Sequence, residues 1–369
     1  MVASDVPAFG RQQGKLAALL DSARRCPLQV RDQSKLARSP PLRIVLDRPV
    51  AKSKEVGNLL MIYAAMRGIA THNGDTALPT LMAEVVRRAR GGERKFEEQR
   101  CGNAALHMLM NEGPFCCDKN PQHKVRERAF GRFDAKLAHV RGGVHSVALY
   151  GYLQSWKYWC HVADDLRAEL RSLFLLCLDA DAQFSRLAAK SARTGTIASL
   201  RAPYRVGVHL RLGDYLTAGK GRFKAVVQGY RSFLRSAFAW FERAHPGATF
   251  VVLCGRHKGC AVKGSCDHEH DAAGGEDMCQ GLLPPSNRDT AIYSEGLTEG
   301  EDMALLLSCN GAIVTAGSYG WWGGFLTGGD VVAFGEPYSG DLLQKWSRDD
   351  FFPPEWVLFD AHGNRVGRN

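Results

Sequence analysis

Two short stretches of this chain hold side chains whose types and spacing suit the chemistry of anions. The first runs from Tyr204 to Asp214 and reads YRVGVHLRLGD. Arg211 stands two residues beyond His209, on the same face of an expected strand, and Asp214 follows three residues later. A guanidinium at the carboxyl end of a strand in an open α/β sheet suits a phosphate, because its planar fork grips two oxygens at once. His209 and Asp214 are both able to take a proton from a hydroxyl, and residue type alone leaves that choice open. The second stretch is Glu301 to Val332, EDMALLLSCNGAIVTAGSYGWWGGFLTGGDVV. Gly317 and Ser318 fall where a short strand hands over to a helix, so backbone N–H groups and the positive helix end converge there. Ser318 is also a natural N-cap, and that structural role would suffice to explain it.

The elements that must carry these residues are legible as periodicities. Val206, Val208 and Leu210 alternate with Gly207, His209 and Arg211, the two-residue period of a strand. The second stretch parses as a helix over 302–308, a strand over 312–315, a helix over 319–326 and a strand from 331. Further strands are expected at 42–46, 144–150 and 249–253. Leu59 to His72 places its apolar residues on one side of a helix. Phe223 to Ala244 reads as one long helix with Phe233, Ala237 and Trp240 inward, and 182–193 as another. Residues 194–203 read as a linker ending in a proline. The expected organisation is an irregular leader over 1–41, an α/β domain over 42–200 and a second α/β domain over 201–369.

In combination the stretches are more specific than either alone. HxRxGDY followed by EDxALL–C–I–T–GSYGWWG–LTGGD resembles the α1,2-fucosyltransferase family. Gly57-Asn58 with MIYAAMRGIATHNG (61–74) is similar to its GN–YA–A–NG signature, and LYGYLQSWKYW (149–159) to its GY–QS–KY segment. The family's usual wording at the first site is HxRRGDY, so Leu212 stands in place of a second arginine. Its glycine-rich GRxGN turn is represented by Lys54-Glu55-Val56-Gly57-Asn58. The resemblance implies a GT-B-like fold of two facing Rossmann-like domains with the donor in the C-terminal half. It implies transfer of L-fucose, with inversion, from GDP-fucose to the 2-hydroxyl of a terminal galactose. On that reading Arg211, Gly317, Ser318, Tyr319 and Asp302 hold the donor, and Asn58, Gln154, Ser155 and Lys157 are cleft or acceptor candidates. Arg211 neutralises the departing GDP; His209, Asp214 or a displaced phosphate oxygen takes the proton. Other GDP-fucose enzymes, of the O- or α1,6-type, and an inactive glycan-binding relative remain open alternatives. Trp156, Tyr158 and Trp159 read as packing aromatics.

Composition sets the outer bounds. The 369 residues allow two full-sized cores, and 45% hydrophobic with 23% charged residues describe an ordinary globular chain. A formal charge of +10 favours an acidic partner such as a nucleotide-sugar. No aromatic-interleaved RNA-binding signature accompanies it, so nucleic acid is not expected. Eleven cysteines suit an oxidising lumen. The resemblance implies a Golgi membrane protein facing the lumen, although the expected N-terminal anchor is missing from this sequence and no Asn-x-Ser/Thr sequon occurs.

Two metal readings compete with this assignment. Cys254, Cys260, Cys266, His268, His270 and Cys279 suggest zinc, but their spacing fits no finger or ribbon, and a disulfide-bearing surface loop is the simpler reading. Asp179-Ala180-Asp181 after the apolar run 173–178 imitates a strand-then-DxD cation site. The run is instead expected to continue the preceding helix, with one aspartate capping the next. No metal or other cofactor is expected.

Overall fold

The protein is described by a computed structural model covering residues 26–29, 42–47, 55–74, 78–91, 106, 109–110, 113–115, 121–140, 144–193, 204–212, 215, 224–254, 275–294, 297–339 and 341–367. The first half opens with β1 (Arg43–Leu46), α1 (Val56–His72), α2 (Leu81–Arg90), β2 (His123–Arg126) and β3 (Ser146–Tyr150). The three strands pair in parallel in the order β1-β3-β2. The stripe expected on α1, Leu59, Ile62, Tyr63, Met66, Ile69 and Ala70, is buried throughout. Nearly every residue of α1 is buried, Gly57 and Gly68 included, so it is a core helix on all sides. Gly68 explains part of this: a Cβ there would lie 1.9 Å from the Tyr158 carbonyl, so only a glycine lets the 156–159 turn settle against the helix.

Helices α3 (Ala163–Leu175) and α4 (Ala180–Arg193) follow. The apolar run 173–178 does not continue as one helix, because α3 ends at Leu175 and Leu175 and Leu176 turn outward. Asp179 Oδ1 accepts from the Ala182 amide at 3.0 Å, the N-cap role expected of it. The linker at 194–203 lies outside the described residues.

The second half is a six-stranded parallel sheet. Its members are β4 (Arg205–Leu210), β5 (Thr249–Cys254), β6 (Ile292–Tyr293), β7 (Gly311–Val314), β8 (Asp330–Phe334) and β9 (Val357–Phe359). Their order is β6-β5-β4-β7-β8-β9. The chain starts at the centre, works outward through β5 and β6, then crosses to β7 and works outward the other way. That reversal puts a topological switch point between β4 and β7, the crevice where open α/β sheets bind ligands. The connecting helices include α5 (Lys224–Gln228), α6 (Tyr230–Ala244), α7 (Gly275–Leu282), α8 (Glu299–Leu307) and α9 (Ser318–Thr327). The single helix expected over 223–244 is divided at Gly229, where a Cβ would sit 2.6 Å from the Ala361 methyl. Trp240 is only partly buried, unlike Phe233 and Ala237.

Two cores flank this sheet. Phe233, Phe238 and Phe241 of α6 pack with Val206, Val208 and Leu210 of β4. The other core runs without a break from α1 through the 156–159 turn to α8 and α9. Trp159 stacks on Trp322 at 5.7 Å, so the aromatics of the LYGYLQSWKYW segment are indeed packing groups and join the two halves. Residues 338–356 return to the first half, where Lys157 Nζ meets Asp350 Oδ1 at 2.6 Å. Cys26–Cys160 and Cys254–Cys279 are disulfides, which removes two of the residues considered for zinc. Cys260, Cys266, His268 and His270 lie outside the described residues. No described helix is long and apolar enough to cross a membrane.

Candidate active site

The site is built at the switch point, from the carboxyl ends of β4 and β7. Val206, Val208 and Leu210 are fully buried on one face of β4. On the opposite face Gly207 leaves room for Leu306, since a Cβ would approach its Cδ1 to 2.4 Å. His209 comes next on that face and is 5% exposed. Its ring lies 5.2 Å from that of Tyr319, and a Cβ on Gly320 would be 2.5 Å from its Nδ1. The imidazole is thus packed under α9.

Arg211, the next residue on this face, clears the sheet edge. Thr315 fastens its backbone: the Arg211 amide donates to Thr315 Oγ1 at 2.8 Å, and that hydroxyl donates to the His209 carbonyl at 3.0 Å. The guanidinium Nη2 then donates to both oxygens of Glu55, at 3.1 and 2.9 Å, and the group lies 5.7 Å over the Tyr215 ring. Asp214 lies outside the described residues.

Gly317 faces Arg211 across the crevice, its Cβ direction pointing at the arginine Cγ 3.7 Å away. It is the N-cap of α9, with φ +98°. That backbone region belongs essentially to glycine. Ser318 was expected to cap the helix and instead is its first residue. Its hydroxyl donates to Asn58 Oδ1 at 2.9 Å, an oxygen that also accepts from Gln154 Nε2 at 2.8 Å. Tyr338 completes the chain by donating to Gln154 Oε1 at 3.0 Å. The link has a close-packed basis, because Gly57 lets α1 approach until a Cβ would sit 2.4 Å from the Tyr319 amide nitrogen. The starts of α1 and α9 therefore meet beside Arg211.

Of the cleft candidates from the first half, Asn58 and Gln154 arrive here and the other two do not. Ser155 is fully buried and donates to the Asp350 carbonyl at 2.7 Å; Lys157 pairs with the Asp350 carboxylate. Both hold the returning C-terminal segment. Asp302 and Tyr319 support the site from behind. Asp302 is 6% exposed and accepts from Ser294 Oγ at 2.9 Å, and burial pushes its carboxyl up to about 7. Tyr319 donates to the Glu299 carbonyl, and burial raises its phenol well above the ordinary range.

Glu55, Glu299 and Thr315 were not singled out as site residues from the sequence. Glu55 left a signal, since an acidic residue stands where the resembled turn has a basic one. Glu299 left none; its carboxyl is pushed up to about 7, first by burial and then by the charge of Glu55, with Arg211 opposing.

Residues 138–360, more than half of the chain, match the model of glycosyl transferase family 11. The protein belongs to that family. Human galactoside alpha-(1,2)-fucosyltransferase 1 is 32% identical over 58% of this chain and 52% of its own length. The rat protein of the same name is 33% identical over 58% of this chain and 51% of its own. The chain thus spans about half the length of the curated relatives it matches. No solved structure matches it. The family match includes β4, Arg211, α9 and the 149–159 segment but begins after α1. The placement of Gly57 and Asn58 against α9 is therefore a separate observation, made from the structure.

Proposed function

We propose that this family 11 glycosyltransferase moves L-fucose from GDP-fucose to the 2-hydroxyl of a terminal β-galactose, with inversion. The observation that carries the reading is Arg211, held by Thr315 at the switch point and facing the glycine-led start of α9. Such a transfer needs the charge growing on the leaving GDP neutralised, a proton removed from the acceptor hydroxyl, and water excluded. Arg211 meets the first need, with the start of α9 beneath the same diphosphate. The relatives, named for alpha-(1,2) transfer to galactosides, support fucose as the sugar and galactose as the acceptor. The parallel sheets and the return of residues 338–356 to the first half support a GT-B-like arrangement, with the donor in the second half. The Cys26–Cys160 and Cys254–Cys279 disulfides support an oxidising lumen, in keeping with a Golgi location.

The reaction so read uses no metal, because a dedicated arginine and a bound cation are alternative means of neutralising a diphosphate. A donor-hydrolysis assay with GDP-fucose against GDP-mannose, run with and without EDTA, tests both parts. Turnover of GDP-fucose alone, unchanged by EDTA, is expected. Preference for GDP-mannose would remove the fucosyl assignment, and activity abolished by EDTA and restored by Mn²⁺ would remove the metal-free one. GDP binding without turnover on a panel of galactosides would mark a glycan-binding relative instead.

A further inference from the structure

Arg211 already has an anionic partner inside the protein, and that partner stands at an informative position. Glu55 occupies the place of the basic residue in the resembled GRxGN turn. Its carboxylate takes the guanidinium with both oxygens, at 3.1 and 2.9 Å from Nη2. Among the described residues, only Arg211 pairs with this carboxylate. Glu55 is the N-cap of α1, yet its side chain makes no capping hydrogen bond. The pair also faces outward, with 22% of the arginine and 45% of the glutamate side chain exposed. Glu299 stands close enough to feel both charges: burial first, then Glu55, push its carboxyl up, while Arg211 opposes.

These groups can do something that His209, packed under α9, cannot. While Glu55 is held by the guanidinium, both of its oxygens are taken up by Arg211 Nη2. A diphosphate entering the crevice competes for the same fork with more charge and more oxygens. Its arrival would draw the guanidinium away and leave the Glu55 oxygens available to accept a hydrogen bond from a hydroxyl.

We propose that Glu55 is the proton acceptor for the acceptor hydroxyl, paired with Arg211 until the donor diphosphate takes the arginine. In the step itself the galactose oxygen forms its bond to the anomeric carbon of fucose and its proton passes to Glu55. The bond from that carbon to the phosphate oxygen breaks, and GDP departs with the electron pair beside Arg211. The inference rests on the donor site proposed above.

The test compares wild type with Glu55→Gln and Glu55→Asp, using calorimetric binding of GDP and transfer from GDP-fucose to lactose. With the internal competitor gone, Glu55→Gln should bind GDP about two- to fivefold tighter, the scale of a half-exposed ion pair. Its kcat should fall about 100-fold or more, the contribution of a positioned base, while KM for GDP-fucose stays level or drops. Glu55→Asp, which keeps a shorter carboxylate, should recover part of kcat. A Glu55→Gln variant that keeps kcat within about twofold would overturn the proposal. So would one that loses GDP affinity and melting temperature together, which would make the ion pair a structural brace. Wild-type protein that binds no GDP would instead refute the donor-site reading.

Discussion

Helix α8 and the pair α1 and α9 begin in contrasting ways. Helix α8 has a complete capping box: the Glu301 amide donates to Thr298 Oγ1 at 3.4 Å and the Thr298 amide to Glu301 Oε2 at 2.8 Å. Its first-turn donors are met by its own residues. Helices α1 and α9 begin at Glu55 and Gly317, and neither receives a side-chain cap. They meet each other beside Arg211, with polar side chains directed to the junction rather than to the helix ends. The contrast separates residues that stabilise a helix start from residues that build a crevice. A cap answers its own helix, so removing it should cost stability; removing a crevice residue should cost turnover.

The largest expected effect is at Arg211. Arg211→Ala should lower transfer by about 10²–10³-fold, the usual cost of losing one charge-stabilising donor. Arg211→Lys should recover little, because an ammonium lacks the two-pronged geometry. Near-normal turnover with lysine, measured as kcat/KM for GDP-fucose, would show that no bidentate grip is needed.

Gly317 sits between the two classes. Close approach of a phosphate to its backbone makes substitution there expected to damage GDP binding more than folding. The structure adds a backbone cost, because φ +98° is strained for any side chain. Gly317→Ala should therefore lose about 1–3 kcal/mol of stability. It should also weaken GDP binding beyond what the unfolded fraction explains, since the new methyl group points at Arg211. Thermal melts and GDP titrations on the same samples separate the two losses; equal losses would make this glycine purely structural.

Thr298→Ala makes the opposite prediction. Loss of the cap should cost about 1 kcal/mol of stability and leave kcat unchanged. A fall in kcat for the folded variant would show that the cap also positions Glu299 beside the Glu55–Arg211 pair, and would blur the contrast.

The smallest effect concerns Glu299, the first residue of α8, whose carboxyl is raised to about 7. A carboxyl with a raised folded-state pKa contributes most below its unfolded value and loses that contribution as pH climbs through about 7. Glu299→Gln should accordingly gain stability relative to wild type between pH 5 and 8. Urea midpoints at those two pH values measure it; a parallel shift at both would mean that the carboxyl is not titrating there.

The sequence by itself was sufficient for what depends on local pattern. Alternating apolar residues placed β4, the strand-to-helix handover located Gly317, and HxRxGDY with the GSYGWWG block marked the family. Arg211 followed from the same alternation, since strand phase decides which face a side chain leaves from. Even there the limits are visible. Alternation places His209 beside Arg211 but cannot show that α9 covers one and clears the other. Polarity made Ser155 and Lys157 look like cleft residues, and only their contact with Asp350, almost two hundred positions away, assigns them to packing. The Glu55–Arg211 pair and the Ser318–Asn58–Gln154–Tyr338 chain join residues separated by 96 to 260 positions. Such contacts exist only once both sheets and the helices between them have packed, because local propensity carries no information about which distant polar group will arrive. Strand phase and turn chemistry therefore determined where the arginine and glycine stand, whereas tertiary packing decided which carboxylate meets the arginine.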